Sequence, residues 1–377
     1  MSKRRPSSFS RSAFAGASLD AGALSGALEP PVHDAAATYA ALDLGTNNCR
    51  LLIARPVHGA ARSAAPGAPP FVVVDAFSRI VRLGEGLSQT GALSPAAMSR
   101  AIEALKVCAG KLRRRNVTIM RHVATEACRR ASNCGEFLAR VKDETGLVIE
   151  TITTGEEAAL ALAGCAPLLD GATPEALVFD IGGGSTELMW AKLHPGREPE
   201  LIDYLSLPYG VMNLAESADC DCLSRAAFEA LIEQVREKAE AFEARHDIRA
   251  RIAAGQLQML GTSGTVTTLA GIRMGLPSYD RARVDGCHLD FTELRSVTDH
   301  LLALDCKARA LEPCIGPARA DLVLAGCAIL EAICRTWPVG RLRVADRGVR
   351  EGILLTLMRP LTQQGAISAS PRLIPAE

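Results

Sequence analysis

The sequence has no excess of charge of either sign, because 42 lysines and arginines are balanced by 42 aspartates and glutamates. A chain without net charge has no long-range field that would draw it to nucleic acid or to an anionic membrane. No stretch approaches the run of about 20 apolar residues that spans a bilayer. We therefore expect neither nucleic acid nor membrane as a partner, and any attraction for a polyanion must be local.

A zinc or disulfide framework is also missing, although the chain has 12 cysteines. No pair of Cys-x-x-Cys motifs occurs, so the spacing does not predict a zinc site. The cysteines scattered through predicted core elements include Cys49, Cys108, Cys128, Cys134 and Cys165. We expect these to be buried, reduced thiols. Cys220 and Cys222 form a close pair with no further ligand nearby, which indicates a surface loop.

The first 36 residues lack the apolar central block of a secretory signal. They are rich in Ser, Ala, Gly and Pro and show no sustained periodicity, which predicts a flexible tail. We expect this tail on a cytoplasmic protein, with an organelle transit peptide as the alternative because the segment is Arg- and Ser-rich and poor in acid. The full 377 residues, 48% hydrophobic, can bury a large core and predict about two domains.

Two short segments share one pattern, YAALDLGTNNCRLLI around Asp43 and ALVFDIGGGSTELMW around Asp180. In each, an apolar run ends in Asp, a loop of Gly and small hydroxyl residues follows, and a second apolar run begins. Glycines allow the backbone to approach a ligand closely, and successive N–H groups of such a loop can form an anion nest. An ordinary hairpin loop explains either segment alone. Their repetition favours a duplicated strand–loop–strand unit that holds phosphate between two halves.

A third loop follows the second strand pair. The stretch QLQMLGTSGTVTTLAGI predicts a strand, the loop Gly261-Thr262-Ser263-Gly264-Thr265, and then a helix. Ser and Thr at that junction can cap the helix, and free N–H groups at a helix N-terminus attract anions. A plain strand-to-helix connection is the alternative, but the position of the loop after the Asp180 segment favours phosphate or nucleotide binding.

These three loops, in this order, resemble those of the actin, Hsp70 and sugar-kinase superfamily. Further segments resemble the exopolyphosphatase and guanosine pentaphosphate phosphohydrolase (Ppx/GppA) family, and the similarity runs from about Tyr39 to about Leu357. The segments that carry it are RLGEGLSQTGALS (82–94), VATEACRRASN (123–133), TTGEEAALAL (153–162), LPYGVMNLAE (207–216) and RVADRGVREGIL (343–354). Longer relatives carry an additional C-terminal helical domain, for which this chain ends too early.

The resemblance implies an α/β fold with two RNase H-like, actin- or Hsp70-type domains and an active cleft between them. The expected organisation is a tail at 1–36, domain I at 37–160, domain II at 161–342, a C-terminal helix at 343–360 that returns to domain I, and a flexible tail at 361–377. A homodimer is expected.

Within those domains the sequence predicts strands and helices around the loops. Residues 71–80 should complete a three-stranded unit with the strands around Asp43. A helix should follow, with Ser94 as its cap and Pro95 at its first position. A strand should lead to Thr125, and the segment 155–157 should form a turn before a helix crosses into the second half. The run from 319 to 337 is expected to be a buried helix.

The resemblance carries a set of substrate-binding residues onto this chain. From the first half these are Gly45, Thr46, Asn47, Asn48, Arg50, Arg82, Thr125 and Arg129. From the second half they are Gly182, Gly183, Gly184, Ser185, Thr186, Gly261, Thr262, Ser263, Gly264 and Thr265. Arginine can pair with phosphate oxygens through its planar fork. For Arg50, a strand residue pointing to solvent is the alternative.

Two carboxylates are candidates for the catalytic residues, Glu157 and Asp180. The family's general base is the second Glu of a Gly-x-Glu-Glu turn, which corresponds to Glu157, and a carboxylate there can take a proton from water. A helix-capping, solvated pair with Glu156 is the alternative. The chain has Ala159 where the family usually has Arg. The sequence therefore does not identify the ion-pair partner that would orient the base.

Oxygen donors near phosphate predict a magnesium site, with manganese as a possible substitute. The candidate ligands are Asp43, Asp180 and Glu187, and Mg²⁺ bound by such groups usually keeps several waters. Glu187 lies two residues beyond Ser185 on the same side of a predicted strand. A cross-strand ion pair would explain Glu187 equally well.

Three functions remain open from the sequence. The first is a Mg²⁺-dependent phosphohydrolase that releases orthophosphate from inorganic polyphosphate, from guanosine pentaphosphate, or from both. The second is a kinase or ATPase of the wider superfamily, and the third is a noncatalytic sensor of alarmone or polyphosphate. A basic track would favour polyphosphate; its candidates are Lys111, Arg113, Arg114, Arg115, Arg121 and Arg130, for which a solvated helix face is the alternative.

Overall fold

The structure, a computed structural model, describes residues 37–57, 70–218 and 223–364. The predicted tail at 1–36 and the Cys220–Cys222 pair lie outside these described residues. The described part of the chain belongs to one compact unit, so the division at 160 stays a prediction. None of the helices in the described ranges is long and apolar enough to cross a membrane.

Eleven strands are formed by the described residues. They are β1 (Tyr39–Leu44), β2 (Asn48–Pro56), β3 (Phe71–Ile80), β4 (Ile119–Ala124), β5 (Glu150–Thr151), β6 (Glu175–Ile181), β7 (Thr186–Lys192), β8 (Glu200–Leu207), β9 (Leu257–Thr262), β10 (His288–Asp290) and β11 (Arg341–Ala345).

Fourteen α-helices connect them over the same ranges. They are α1 (Leu87–Thr90), α2 (Pro95–Arg114), α3 (Glu126–Arg130), α4 (Cys134–Thr145), α5 (Thr154–Cys165), α6 (Val211–Ser217), α7 (Arg225–His246), α8 (Ile248–Ala253), α9 (Gly264–Arg273), α10 (Arg281–Val284), α11 (Phe291–Ala303), α12 (Cys306–Leu311), α13 (Val323–Thr336) and α14 (Val349–Gln364).

The two sheets repeat one arrangement, as the paired Asp-Gly segments predict. The first sheet has the order β3-β2-β1-β4-β5 and the second the order β10-β11-β9-β6-β7-β8. In the first, β1 pairs antiparallel with β2 and parallel with β4. In the second, β6 pairs antiparallel with β7 and parallel with β9. Each Asp-Gly loop therefore connects a central strand to its antiparallel neighbour, and the mixed α/β fold with two sheets is confirmed.

Helices α5 and α14 lie in a core shared by both sheets. Apolar residues of β1, β6, β7 and β9 pack with these two helices in one buried cluster. The helices cross closely at glycines, because a Cβ at Gly164 would lie 2.1 Å from the Gly348 carbonyl oxygen and one at Gly352 would lie 1.9 Å from the Leu160 carbonyl oxygen. The C-terminal helix thus returns to the first sheet, where it contacts β1, β2 and β4.

Several sequence-based element boundaries differ from the structure. The segment 155–157 is the first turn of α5 rather than a turn before it, because the Thr153 side chain accepts a hydrogen bond from the Glu156 N–H and caps the helix one residue earlier. Residues 343–345 belong to β11, so the last helix begins at Val349 and continues to Gln364. The predicted cap at Ser94 is confirmed, since its side chain accepts a hydrogen bond from the Ala97 N–H.

Candidate functional site

A cleft where the loops of the two sheets meet contains most of the predicted site residues. From the first half it is lined by Asp43, Gly45, Thr46, Asn47, Asn48, Arg50, Thr125 and Glu157. From the second half it is lined by Asp180, Gly182, Gly183, Gly184, Ser185, Ser263, Gly264 and Thr265. Three loops that are far apart in sequence therefore surround one space.

The two Asp-Gly loops pack directly against each other at this cleft. A Cβ placed on Gly183 would lie 2.9 Å from the backbone nitrogen of Asn47, and one on Gly184 would lie 2.9 Å from Thr46 Oγ1. Side chains at these two positions would separate the loops. Glycine at 183 is therefore required by the close approach of the Asn47 backbone, and glycine at 184 by the close approach of the Thr46 and Glu126 side chains.

The segment 209–213, part of the LPYGVMNLAE motif, supports the second loop from behind. The N–H groups of Val211 and Met212 donate to the carbonyl oxygens of Gly182 and Gly183. The Asn213 side chain donates to the Gly184 carbonyl at 2.8 Å. Three consecutive carbonyl groups are thus engaged on one side of the loop, an arrangement in which backbone N–H groups can serve an anion on the other side.

The third loop forms the predicted connection from β9 to α9. Ser263 caps the helix, because its side chain accepts a hydrogen bond from the Thr265 N–H at 3.2 Å. Its backbone has a φ of 123°, a region that side chains other than glycine rarely adopt. This unusual conformation lies at the cleft, which is lined by Ser263 and by the first two residues of α9, Gly264 and Thr265.

Glu157 lies in the first turn of α5 and is held by an arginine. Its Oε2 accepts a hydrogen bond from Arg129 Nη1 at 2.7 Å, and the two side chains are 12% and 15% exposed. Arg129 also donates to the Ile152 carbonyl and to Glu126. Ala159, where the family usually has Arg, is exposed on α5. Arg129 therefore supplies the ion-pair partner of the candidate base.

Burial raises the pKa of Glu157 well above its ordinary value, and the nearby negative charge of Glu187 raises it further. Arg129 opposes both effects because its positive charge stabilises the carboxylate. A carboxyl group with a raised pKa binds a proton more readily, which is what a general base at neutral pH requires. The surroundings of Glu157 thus suit proton transfer.

The candidate metal ligands are a set of desolvated acids. Burial raises the pKa of Asp180 to about 6 and that of Glu187 to about 7. Burial also raises the pKa of Asp43, while Arg50 lowers it. Such carboxylates gain from a nearby cation, because it offsets the charge that burial disfavours.

Glu187, in strand β7, belongs to this set of buried acids but does not itself line the cleft. Its Oε1 accepts hydrogen bonds from the Ser185 hydroxyl at 2.6 Å and the Ser206 hydroxyl at 3.0 Å. Its residue is only 2% exposed. The alternative of a cross-strand ion pair is wrong among the described residues, since the hydrogen-bond partners of this carboxylate are two hydroxyl groups.

Whether a magnesium ion fits the cleft depends on the oxygen donors that Asp43, Asp180, Glu187 and their neighbours supply. No group of three Asp, Glu, His or Cys residues within the described ranges is close enough to hold a metal ion alone. Mg²⁺ usually keeps several waters and takes only one or two protein carboxylates together with phosphate oxygens. In addition, the side-chain oxygens Oδ1 of Asn47 and Asn48 are buried without a hydrogen-bond partner. Oxygen donors beside the anion-binding loops therefore fit a hydrated Mg²⁺.

Not every predicted site residue lies in the cleft wall. Arg129 does not line the cleft but forms an ion pair with Glu157, which does. Arg82 forms an ion pair with Asp321, with a nitrogen-to-oxygen distance of 2.8 Å. The Thr186 hydroxyl donates to the Tyr209 carbonyl, which gives it a structural contact. Gly261, in β9, packs against the ring of Phe179 in the neighbouring strand β6. The remaining residue, Thr262, lines a second cavity next to the cleft.

Arg319 is a site residue that the sequence did not reveal. It lines both the cleft and the adjoining cavity, as Arg50 does. Neither arginine forms an ion pair with another described residue, and burial together with repulsion from Arg50 lowers the pKa of Arg319. Two arginines thus line a common space without a direct ion pair, although the charge of Arg50 lowers the pKa of Asp43 and of Asp180 in the same space. In the sequence, Arg319 is marked only by its position as a charged residue at the start of the apolar run 319–337.

The proposed basic track is largely neutralised by nearby acids. Lys111 and Arg115 both pair with Asp75. Arg121 pairs with Glu150 and Glu156, and Arg130 pairs with Glu126. Most of these cations therefore belong to surface ion-pair networks, as the alternative of a solvated face predicts. The predicted buried thiols are confirmed at Cys49, Cys108, Cys128 and Cys165, while Cys134 is partly exposed.

Comparison with known proteins identifies the family. The model of the Ppx/GppA phosphatase family matches residues 61–360. Exopolyphosphatase 2 of Mycobacterium tuberculosis is 31% identical over 330 residues, which cover 84% of this chain and 98% of that protein.

Solved structures give the same result. A Ppx/GppA family member from Aquifex aeolicus is 28% identical, with a TM-score of 0.67 over 87% of this chain and 98% of its own. An exopolyphosphatase-like protein is 28% identical, with a TM-score of 0.75 over 86% of this chain and 99% of its own. The chain therefore belongs to the Ppx/GppA phosphatase family and is an enzyme of the phosphohydrolase class.

Proposed function

We propose that this enzyme is a Mg²⁺-dependent exopolyphosphatase that releases orthophosphate from the end of inorganic polyphosphate. The observation that carries the proposal is the position of Glu157 in the wall of a cleft formed by anion-binding loops. The name and similarity of the Mycobacterium tuberculosis relative support polyphosphate as the substrate. Guanosine pentaphosphate is a second candidate substrate, because the chain belongs to the Ppx/GppA phosphatase family.

The chain's own residues have three tasks in this reaction. The Asp-Gly loops bind the terminal phosphoryl group through backbone N–H groups, and Arg50 with Arg319 offsets its negative charge. Glu157 accepts a proton from a water molecule while the water oxygen forms a bond to the terminal phosphorus. The bond from that phosphorus to the bridging oxygen breaks. The products are orthophosphate and a polyphosphate shorter by one unit.

Arg129 orients the base in this scheme. Its hydrogen bonds to the Ile152 carbonyl and to Glu126 fix the guanidinium, which in turn fixes one oxygen of Glu157. The other carboxylate oxygen is available to water. One oxygen of Glu157 is therefore held by Arg129, while the other can accept a proton from water.

Asp43, Asp180 and Glu187 would hold Mg²⁺, directly or through water, with Mn²⁺ as a substitute. The ion would neutralise charge on the phosphate oxygens and orient the terminal group. It would also offset the charge that burial disfavours, since burial is the main cause of the raised pKa values of Asp180 and Glu187 and repulsion by a neighbouring acid is a smaller one. The homodimer and the cytoplasmic location remain expectations from the sequence.

Phosphate release from purified protein tests the proposal. Polyphosphate, guanosine pentaphosphate and ATP are compared at equal concentration with Mg²⁺ and with excess chelator. We expect release from polyphosphate in Mg²⁺ and none in chelator. Turnover of ATP alone would favour the kinase or ATPase alternative. Binding of polyphosphate or guanosine pentaphosphate without release would favour the sensor.

A further inference from the structure

Arg82 forms a two-pronged ion pair with Asp321. Its Nη1 lies 2.8 Å from Asp321 Oδ2 and its Nη2 lies 2.9 Å from Asp321 Oδ1, and Nη2 also donates to the Ala318 carbonyl. The two residues are 239 positions apart and belong to opposite halves. A carboxylate here engages the planar fork in the way a phosphate group would.

This pair lies at the edge of the substrate cleft. The backbone N–H of Arg82 donates to the Asn47 carbonyl, so the arginine is joined to the first Asp-Gly loop. On the opposite side, Asp321 directly precedes Leu322 and Val323, which line the cleft together with Arg319. A polyanion that leaves the cleft past these residues meets the Arg82 guanidinium.

The backbone around Arg82 is fixed independently of Asp321. Arg100 donates to the Val81 and Arg82 carbonyls. Farther along the loop, Glu216 accepts hydrogen bonds from the Gly86 N–H and the Ser88 hydroxyl. The loop therefore keeps contacts with both halves when the Arg82 side chain changes partner.

The ion pair is also accessible to a competing anion. The Arg82 and Asp321 side chains are 29% and 38% exposed, so solvent and salt screen part of the attraction between them. A polyphosphate chain offers several anionic oxygens in place of one carboxylate. Exchange of partners would therefore replace the charge-assisted contact of Arg82 to Asp321 with one to the substrate.

We propose that Asp321 is a built-in competitor of the substrate, which holds the Arg82 guanidinium in the free enzyme and releases it to a phosphate group of bound polyphosphate. This inference rests on the proposed function. Arg82 then contributes to the affinity for polyphosphate, and Asp321 lowers that affinity by competing for the Arg82 guanidinium.

Kinetics of Asp321→Asn test this role. The substitution keeps the shape of the side chain but removes its charge. We expect the KM for long-chain polyphosphate to fall about two- to fivefold, the range set by an exposed ion pair, with kcat unchanged. Glu216→Gln is the matched control, because it removes one negative charge beside the loop that carries Arg82 without releasing a cation. Its amide can still accept the hydrogen bond of the Gly86 N–H and bond to the Ser88 hydroxyl, so the loop keeps both contacts. The KM of this variant should change by less.

A double-mutant cycle separates competition from a structural role. Arg82→Ala should raise KM, and Asp321→Asn should give no gain in affinity in the Arg82→Ala background. A gain that persists without Arg82, an equal gain in Glu216→Gln, or an Asp321→Asn variant with raised KM or lowered kcat would overturn the proposal.

Direct binding keeps this test separate from the proposed function. Equilibrium binding of polyphosphate to each variant is measured in chelator at one ionic strength. If the wild type releases no phosphate, the proposed hydrolysis fails, and tighter binding by Asp321→Asn still supports the competitor. If hydrolysis proceeds while Asp321→Asn binds no more tightly than the wild type, only the competitor is rejected.

Discussion

Arg129 Nη1 lies 2.7 Å from Glu157 Oε2, and this contact joins the short helix α3 to the first turn of α5. Both side chains are mostly buried, so the pair is protected from screening by salt. Breaking a buried pair leaves one charge uncompensated. The contact therefore controls both the position and the proton affinity of the candidate base.

Replacing Glu157 with Gln should lower kcat about 10²- to 10⁴-fold, the usual contribution of a general base. The amide keeps the size of the side chain but cannot accept the proton. Polyphosphate affinity should hold or improve, because a negative charge near the polyanion is removed. Steady-state phosphate release and direct binding are measured on the same preparations.

The neighbouring Glu156 provides the matched control. It lies in the same helical turn but pairs with Arg121 and does not line the cleft. Glu156→Gln should retain near wild-type kcat. Wild-type turnover in Glu157→Gln would remove this residue from the mechanism, and loss of binding together with turnover would assign it a structural role.

Arg129→Ala should move the acidic limb of the kcat/KM profile to higher pH. Arg129 lowers the pKa of Glu157 against the effects of burial and Glu187. Without the guanidinium, the carboxyl group keeps its proton to a higher pH, and the active, ionised fraction appears later as pH rises. The profile is measured from pH 5 to 9 (about the range in which such groups titrate).

Arg129→Lys is the companion variant. It retains a positive charge but not the planar fork, so its acidic limb should shift less than that of Arg129→Ala. A purely structural role for Arg129 predicts equal loss of rate at every pH. Parallel profiles for the wild type and both variants would therefore contradict control of the base by this arginine.

The parts of the site that are local in sequence could be predicted from it. The Asp43 and Asp180 loops follow from a strand, a Gly-rich loop and a second strand, and the Ser263 loop follows from a strand-to-helix junction. Each signal is contained in about fifteen consecutive residues. The structure brings all three loops to one cleft because the two sheets repeat the same strand arrangement.

The partners of these groups could not be predicted in the same way. Arg82 was predicted to bind substrate, yet in the free chain its fork is taken by Asp321, 239 positions away. The apolar run predicts a buried helix that begins at Arg319, whereas α13 begins only at Val323. Periodicity reports which face of an element is buried, but it does not report which distant side chain lies across a cleft.

Gly183→Ala should lower kcat/KM about 10- to 100-fold, because misplacement by about 1 Å at a reacting group has effects of this size. The new Cβ would lie 2.9 Å from the Asn47 nitrogen and 3.0 Å from its Cβ. The two phosphate loops must then separate. Phosphate release and polyphosphate binding measure the effect, and a valine at this position should increase it.

Gly171→Ala is the control for this substitution. A Cβ at Gly171 meets no atom within 4 Å, and its backbone φ is not in the left-handed region. This variant should keep wild-type activity and stability. If Gly183→Ala also kept normal binding and turnover, the 180–187 loop would not be the phosphate-binding element.

Glu187→Gln should make the protein more stable than the wild type at pH 8 in excess chelator. The pKa of Glu187 is raised from 4.5 to about 7 in the folded chain. Between these two values the folded state binds more protons than the unfolded state, so the free energy of unfolding falls as pH rises. The amide carries no charge and can still accept the hydrogen bonds of Ser185 and Ser206. Thermal unfolding in chelator should therefore show a higher Tm for the variant at pH 8 and nearly equal Tm values at pH 5, where the wild-type carboxyl is protonated.

Two further measurements connect this effect with the metal. Glu103→Gln, at a side chain that is 64% exposed, removes the same charge and should show no such pH-dependent gain. Mg²⁺ should raise the Tm of the wild type at pH 8 more than that of Glu187→Gln, because a cation relieves the repulsion that the amide has already removed. A Glu187→Gln variant that is less stable than the wild type at pH 8 in chelator would show that the ionised carboxylate is a net stabilising group, and the argument for a cation beside it would fail.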